Sequence, residues 1–296
     1  MSNALVEPAL AALRRDRPDL ARPPLRTIYT GFSSVVVSTG SGFTVRIGRN
    51  QQAGDTHERK WRVVSLLDDL PVAVPRPEWQ VPPGPEVRFG AAAYPTIEGI
   101  TLPWDRPVSA EVVGQLARFL ARLHGITDPA VRDSVDSLEV WRTWVLEMVE
   151  SSIALLAGEL SSADHGRLTR WHRAEFVPRI CGLGDRDVVV VHGDFWHDNL
   201  VIGPDGLAGV IDWEAAELAD PAVDLAPVWD IDPALGAALL RGYQDQLGPD
   251  GSLAERVRLF RIARNLGGVA WSVDNDDAEE YADSLLKVRS VLPLLA

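Results

Sequence analysis

The sequence is poor in cysteine and lysine and contains no long apolar run. Cys181 is the only cysteine among 296 residues, which excludes an internal disulfide framework and a thiolate metal cluster and predicts a small buried side chain. No apolar stretch approaches the roughly 18 residues of a membrane span, and residues 1–8 lack the basic start of a secretory signal. We therefore expect a cytoplasmic protein with no membrane partner.

Basic charge is also scarce. The chain has 29 Lys and Arg against 42 Asp and Glu, a net charge of −13. Nucleic acid is excluded as a partner because a phosphate backbone needs a basic footprint. The whole excess falls in residues 181–296, which hold 21 acidic and 8 basic residues. Solubility explains such a charge, and so does a cleft for metal ions or for a cationic ligand; both interpretations stay open at this point.

The hydrophobic pattern changes its period along the chain. The first part alternates between helical spacing and β-branched runs, and from residue 109 helices dominate around a small β insert. The predicted helices are 3–20, 53–70, 109–124, 137–160, 162–177, 222–229, 233–247, 252–271 and 276–294, and the predicted strands are 27–37, 42–47, 89–97, 188–191, 200–202 and 208–211. This order predicts an α+β protein with a β-rich first part and a mostly helical second part.

The densest polar cluster, residues 192–199, lies between two predicted strands, where catalytic groups are usually mounted. Asp212 follows the strand that ends at Ile211. If the strands pair around the turn at 203–206, Asn199 and Asp212 finish at the same end of a hairpin, with Asp194 a few residues back. Three hard oxygen donors suit Mg²⁺, and an aspartate outside the metal shell can accept a proton from a hydroxyl.

Three motifs in this region follow one another within 35 residues: His192-Gly193-Asp194-Phe195-Trp196-His197-Asp198-Asn199, then Ile211-Asp212, then Asp220-Pro221-Ala222-Val223-Asp224-Leu225-Ala226. Their order resembles the aminoglycoside phosphotransferase family, a branch of the protein-kinase-like fold. The resemblance implies a bilobal protein, with a nucleotide-binding lobe and hinge over residues 1–97 and a helical lobe over residues 98–296 that carries the catalytic loop and the acceptor site.

The resemblance also implies roles for single residues. Asp194 would be the catalytic base that deprotonates the acceptor hydroxyl, and Asn199 and Asp212 would hold Mg²⁺. It makes three further residues supports of this loop: His192, Asp220 and Asp224.

Nucleotide binding, to ATP or GTP, is expected in the first part. Residues 30–34, including Ser33 and Ser34, resemble the loop over the phosphates, although such a Gly-Ser turn is also typical of a plain hairpin. With only Lys60 and Lys287 as lysines, Arg46 stands where the strand lysine of kinases belongs, and Glu58 on the next helix would hold it. The alternative is a solubilising arginine on an edge strand.

Residues 93–99 resemble the hinge between kinase lobes. Nucleobase recognition there uses a backbone carbonyl and an N–H two residues on, which Pro95 and Ile97 provide. Residues 70–75, 93–95 and 211–213 are similar to macrolide kinases, which usually carry histidine where Asn199 stands, so the chain departs from them at that position.

The acceptor is a small molecule with a hydroxyl group, and acids beside aromatic side chains favour a cationic one. The residues assigned to it are Asp198, Glu214, Asp230, Trp271 and Asp274. The alternative for the acids near residue 276 is a favourable charge at the start of the last helix.

The function expected from these observations is Mg²⁺-dependent transfer of the γ-phosphate of ATP or GTP to a hydroxyl of an aminoglycoside-like antibiotic. The alternatives are a kinase of a macrolide, or of a metabolite such as homoserine or an amino alcohol, and a nucleotide-binding module without activity. A more distant alternative is a metal-dependent hydrolase that uses His192, Asp194, His197 and Asp198.

Overall fold

The computed structural model describes residues 2–30, 33–103, 105 and 107–295. The chain forms two compact units. The first contains Met1–Leu102 and Asp198–Ala216, and the second contains Pro103–His197 and Glu217–Ala296. The sequence placed a boundary between residues 97 and 98; as a division into nucleotide and acceptor lobes, it stays a prediction.

The first unit is built on an antiparallel sheet of five strands in the order β1-β2-β3-β5-β4. The strands are β1 (Arg26–Thr30), β2 (Ser34–Ser38), β3 (Phe43–Gly48), β4 (Trp79–Val81) and β5 (Ala91–Pro95). Two helices accompany them: α1 (Ser2–Asp16) and α2 (Gln51–Leu66). Asn50 caps α2, because its side chain accepts a hydrogen bond from the amide of Ala53 at 2.8 Å.

The period-2 alternation of β3 and β5 divides the two faces of this sheet between the two helices. The odd-numbered residues share a core with α1: Val45, Ile47, Ala91 and Ala93. On the other face, Ala92 and Tyr94 pack against Trp61 of α2. Arg46 pairs with Ala92 in the register and therefore lies on the face that α2 covers.

A second sheet in this unit carries part of the motif region. It has the order β6-β8-β9, with β6 (Ile100–Thr101), β8 (Leu200–Gly203) and β9 (Gly206–Val210). Beside β9, the amide of Ala73 donates to the carbonyl of Ala208, and the amide of Val210 donates to the carbonyl of Ala73, both at 3.0 Å. A Cβ at Gly209 would lie 2.8 Å from the carbonyl oxygen of Ala73, so this approach requires glycine.

The second unit is mostly helical. Its helices are α3 (Ala110–His124), α4 (Pro129–Arg132), α5 (Leu138–Leu155), α6 (Ser162–Trp171), α7 (Val177–Cys181), α8 (Ala222–Ile231), α9 (Pro233–Leu247), α10 (Leu253–Asp274) and α11 (Ala278–Val291). Helix α10 packs on α5, α8 and α11, and α3 packs on α9. Two short strands, β7 (Val189–Val191) and β10 (Glu217–Ala219), form an antiparallel pair. Among the described helices, none has the length and low polarity that crossing a bilayer requires.

Several local predictions were wrong. The predicted strand 27–37 is two strands, β1 and β2, and the Pro-rich connection after α2 contains β4. The predicted helix 162–177 changes to a π-helical turn at His172–Phe176, and β10, which has three residues, was not predicted. Cys181 is exposed and not buried, because it is the last residue of the short helix α7.

Candidate active site

Arg46 binds two carboxylates within the first unit. Its Nη1 donates to Asp212 Oδ1 and its Nη2 donates to Glu214 Oε1, each at 3.2 Å. Longer contacts of 3.4 Å join Nη2 to Asp212 Oδ2 and to the hydroxyl of Ser34. Burial disfavours the charged guanidinium, but Asp212 and Glu214 outweigh it and raise the pKa of Arg46 above its ordinary value. Arg46 is therefore a fixed positive charge shared by two carboxylates.

These two carboxylates differ from the partner that the sequence predicted. Glu58 lies on α2, but its side chain is outside the described residues, so the pairing of Glu58 with Arg46 stays a prediction. Glu214, which the sequence assigned to the acceptor, lies in the Arg46 cluster and is fixed further because Arg59 Nη2 donates to its backbone carbonyl at 3.2 Å.

Tyr94 closes the same cluster from β5. The indole N–H of Trp61 donates to its hydroxyl oxygen at 2.8 Å. Burial raises the pKa of Tyr94 to about 12, although the nearby Arg46 acts in the opposite direction. The phenol is therefore neutral at physiological pH and leaves the positive charge of Arg46 to the two carboxylates.

Asn199 and Asp212 finish at the same end of the β8–β9 hairpin, as the spacing predicted. The amide of Ile211, next to Asp212, donates to the carbonyl of Asn199 at 2.9 Å. Asn199 is buried, whereas about a third of the Asp212 side chain is exposed. The backbone of Asp212 has φ 65°, in the left-handed region that non-glycine residues rarely adopt. Such a conformation persists only where surrounding contacts hold it, and the ion pair with Arg46 is one of them.

The donor chemistry of this hairpin end fits a divalent cation. An amide oxygen of Asn199 and a carboxylate of Asp212 are hard oxygen ligands of the kind that Mg²⁺ takes, and Mg²⁺ completes its shell with water and phosphate oxygens. In the described part of the chain, no three His, Cys, Asp or Glu side chains are grouped as metal ligands. The residues present therefore suit a cation that arrives with its own oxygen ligands.

In the second unit, Asp224 on α8 holds the loop that follows β7. This fully buried carboxylate accepts two backbone hydrogen bonds, from the amide of His192 at 2.8 Å and from the amide of Gly193 at 2.9 Å. Gly193 has φ 82°, which glycine adopts without strain. The loop is therefore fixed at its first two residues by one carboxylate.

Two further side chains continue this network. His124 of α3 lies with Nε2 at 3.1 Å from Asp224 Oδ2 and with Nδ1 at 2.8 Å from the hydroxyl of Tyr243 on α9. Burial, and next the Asp224 carboxylate, raise the pKa of Tyr243, so its hydroxyl stays neutral. The Asp224 carboxylate can only accept a hydrogen bond, so Nε2 of His124 carries the hydrogen that faces it.

Asp194 lies on the segment that Asp224 anchors. Its amide donates to Nδ1 of His192 at 3.3 Å, and its carbonyl accepts from the amide of Trp196 at 2.8 Å. Phe195, fully buried, stacks on Phe119 of α3 with ring centroids 5.8 Å apart. The loop is thus held on both sides of Asp194, which is itself only partly buried.

Asp220 has a different role from Asp224. Its buried carboxylate pairs with Arg179 of α7 and Arg256 of α10, at 2.9 Å each, and accepts from the amide of Ala222 at 3.0 Å. It therefore joins three helices near the start of α8, and among the described residues it makes no hydrogen bond to the loop at 192–194.

The other nucleotide-site predictions fall on different parts of the first unit. Ser34 is buried at the start of β2, and Ser33 precedes it; Gly31 and Phe32 of the same loop lie outside the described residues. Pro95 ends β5, and Ile97 packs close to Gly209 of β9. Their roles toward a nucleotide stay predictions.

The residues assigned to the acceptor fall in both units, and their common role stays a prediction. Asp198 belongs to the first unit and is exposed, whereas Asp230, Trp271 and Asp274 belong to the second. Asp230 is bound by Arg261, at 3.1 Å, and by the amide of Asn265, at 2.8 Å. Trp271 and Asp274 are exposed near the end of α10. The charge of Asp230 is already balanced, so it is a poor partner for a cation.

Sequence reasoning missed His124, Tyr243 and Arg264. His124 and Tyr243 lie on amphipathic helices, and His124 is 100 positions before Asp224 in the chain. No local sequence pattern connects either residue with that carboxylate. Arg264 of α10 stacks over the indole of Trp196, with its Cζ 4.4 Å from the ring centroid. The sequence holds no separate signal for Arg264, because it is one of four arginines in the predicted helix 252–271, with Arg256, Arg258 and Arg261.

The sequence and the fold of this chain are similar to those of known phosphotransferases. The chain is 28% identical over 219 residues to an aminoglycoside 3′-phosphotransferase from Escherichia coli, covering 70% of this chain and 76% of that protein. It superposes on APH(2″)-IIIa, solved in complex with GDP and kanamycin, with a TM-score of 0.81 at 16% identity, covering 95% and 97% of the two chains. The macrolide 2′-phosphotransferase from Brachybacterium faecium gives a TM-score of 0.72 at 20% identity, covering 94% and 97%.

The fold is therefore kinase-like, with a β-sheet N-terminal region and a helical C-terminal part. Residues 25–260 match the model of the phosphotransferase enzyme family, and the chain belongs to that family. It is a phosphotransferase of the small-molecule kinase type, and the resemblance drawn from the three motifs is confirmed.

We expect Asp224→Asn to lower the free energy of unfolding by about 3 kcal/mol. Both carboxylate oxygens accept backbone N–H groups, so the amide NH₂ would face a donor whichever way it turns. Urea denaturation measures the loss. Tyr243→Phe is the matched control, because it removes one hydroxyl from the far end of the network and should cost about 1 kcal/mol. An Asp224→Asn protein as stable as Tyr243→Phe would show that the loop does not depend on this carboxylate.

Proposed function

We propose that the protein transfers the γ-phosphoryl group of ATP or GTP to a hydroxyl of an aminoglycoside-like antibiotic, in a Mg²⁺-dependent reaction in the cytoplasm. The observation that carries the proposal is the hairpin end, where Asn199 and Asp212 are joined through the Ile211 amide and Arg46 faces Asp212. Family membership supports it, and so do structural neighbours that were solved with GDP, ADP or kanamycin.

In this proposal the first unit binds the nucleotide. Asn199 and Asp212 would hold Mg²⁺, which when bound neutralises charge on the phosphate oxygens. Arg46 is a permanent cation with N–H groups in one plane, suited to phosphate oxygens. The backbone at Ser33 and Ser34 covers the phosphates, and the carbonyl of Pro95 and the amide of Ile97 take the nucleobase. Residues 1–97 then supply most of the nucleotide lobe, and residues 98–296 supply the catalytic loop and the acceptor site.

Asp194 performs the proton transfer in this proposal. Its carboxylate accepts the proton of the acceptor hydroxyl as the oxygen forms a bond to the γ-phosphorus, while the bond from that phosphorus to the β–γ bridging oxygen breaks. Catalysis comes from positioning and charge neutralisation, since phosphoryl transfer asks for little covalent chemistry from the protein. The anchored loop at 192–196 meets that demand by fixing the backbone of Asp194.

A panel of acceptors tests the function directly. Aminoglycosides, macrolides and amino alcohols are each assayed with ATP and with GTP for nucleotide consumption and for phosphorylated product by mass spectrometry. We expect Mg²⁺-dependent product with at least one aminoglycoside. Phosphate release from phosphoesters without nucleotide would favour the hydrolase alternative. Phosphorylated product from macrolides alone, or from amino alcohols alone, would contradict the aminoglycoside assignment and identify that class as the acceptor.

Asp194→Asn should fold normally and bind Mg²⁺-nucleotide with near-native affinity, but lose kcat by roughly 10³-fold or more, because the amide cannot accept the proton. The measurements are a thermal melt, calorimetric nucleotide affinity and steady-state kinetics on the protein's own acceptor. Asp205→Asn is the matched control, because this exposed aspartate lies in the hairpin turn at 203–206 and has no role in the proposal. A kcat within tenfold of wild type would remove Asp194 as the base.

Asp212→Ala should abolish the dependence of nucleotide affinity on Mg²⁺ while leaving metal-free nucleotide binding, because Arg46 loses a competing carboxylate and keeps its charge. The check is calorimetry of nucleotide binding with Mg²⁺ and with chelator. Glu214→Gln is the matched control: it frees Arg46 of its other carboxylate and leaves Asp212 in place, so the Mg²⁺ dependence should survive. An unchanged Mg²⁺ dependence in Asp212→Ala would contradict its role as a metal ligand.

A further inference from the structure

Arg264 of α10 contacts the catalytic loop, and the described residues of the second unit supply no counterion in contact with it. Two neighbours on α10 have their partners, since Arg261 pairs with Asp230 and Arg258 pairs with Glu175 and Glu255. Arg264 makes no hydrogen bond or ion pair with any residue that the structure describes; its contact is the face of Trp196. This guanidinium is partly buried, and no acceptor in the described part of the protein takes its five N–H donors.

The stacking leaves those donors available. A guanidinium that lies over an indole presents its N–H groups in its own plane, away from the ring, where they match the two oxygens of a carboxylate or phosphate. Trp196 lies two residues after Asp194, and its amide donates to the Asp194 carbonyl. Arg264 is therefore close in space to the residue proposed as the base, since it contacts Trp196 and interacts electrostatically with Asp194.

The nearby carboxylates do not balance the positive charge of Arg264 by direct contact. Burial is the largest effect and lowers the pKa of Arg264 despite the carboxylates of Asp194, Asp230 and Glu280. Each of these three carboxylates has another task or partner: Asp194 is assigned to the proton, Asp230 is bound by Arg261, and Glu280 lies 3.5 Å from Lys287. Burying a cation without a contact partner is costly, so an oxyanion from outside would complete the site.

We propose that Arg264 is an acceptor-binding residue and that it takes an oxyanion of the acceptor, a carboxylate or phosphate group, in the plane of its guanidinium beside Asp194. The acceptor is then a hydroxyl compound that carries an anionic group, alone or together with an ammonium group. This inference rests on the proposed phosphotransfer, and it departs from the aminoglycoside-like acceptor, because an aminoglycoside carries no carboxylate or phosphate group.

The test compares acceptors that differ only in a carboxylate. Homoserine is matched with 3-amino-1-propanol and gluconate with glucitol, and each is titrated into the protein by calorimetry with a non-hydrolysable nucleotide present. We expect the wild-type protein to bind at least one carboxylated compound tenfold or more tightly than its partner without the carboxylate. Arg264→Gln should remove that preference, and Arg264→Lys should keep part of it. Arg241→Gln, which removes an exposed arginine of α9, should change nothing.

The possible results separate the inference from the proposed function. Binding of a carboxylated compound that is not phosphorylated in a separate assay with ATP or GTP would count against phosphotransfer to that compound and still support the oxyanion site. Equal affinities within both pairs, including no binding of either member, would overturn the site, as would a preference that survives in Arg264→Gln with its fold intact by thermal melt. A uniform loss of kcat on all acceptors, charged or neutral, with KM unchanged, would also overturn it, because Arg264 would then act on the transferred phosphoryl group.

Discussion

The buried carboxylate of Asp224 is the interaction on which the catalytic loop depends. One side chain satisfies two consecutive backbone amides, of His192 and Gly193, and contacts His124, so helices α3, α8 and α9 all bear on the start of one loop. A buried charge is tolerated only when its hydrogen bonds are complete, and here both oxygens have partners. The loop then inherits the rigidity of the helical packing, and Asp194 is presented from a fixed backbone.

In the first unit, the central polar interaction is the pairing of Arg46 with two carboxylates. Kinases mount a lysine at the corresponding strand position, according to the resemblance, but this chain has few lysines and uses a guanidinium. Its planar donors reach Asp212 and Glu214 at once, which a single ammonium nitrogen with the same reach does less well. The same ion pair bears on the left-handed backbone of Asp212, so the choice of arginine affects the position of a residue proposed to hold the metal.

The two units also differ in how their polar groups are satisfied near the chemistry. Around Arg46 the positive charge is matched by carboxylates of the same unit, whereas Arg264 has only an aromatic face. Helix α10 carries both kinds of arginine, since Arg256 and Arg261 pair with Asp220 and Asp230. The other arginines of α10 are paired with carboxylates, whereas Arg264 stacks on Trp196 of the catalytic loop. Packing of the helix alone does not require this difference.

The features that local pattern encodes were predictable from the sequence. The β8–β9 hairpin follows from two apolar runs around a Gly-Pro-Asp-Gly turn, and α3 and α5 begin where Ser109 and Ser137 cap them. The pairing of Asn199 with the end of β9 followed from the hairpin. The short strands β4 and β10 were not predictable, because three residues give no period, and the partner of β10 is distant in the chain. The same holds for the carboxylates of Arg46 and for His124 and Tyr243, which meet their partners only through tertiary packing.

Residues 198–216 belong to the first compact unit although nearly a hundred residues of the second precede them. During synthesis, the five-stranded sheet can form early, but β6 has no neighbouring strand and Arg46 has neither carboxylate until the ribosome has passed residue 214. Assembly of the nascent chain therefore cannot finish one unit before starting the other, and a fragment cut after Leu102 would carry an uncapped strand edge and an unpaired guanidinium.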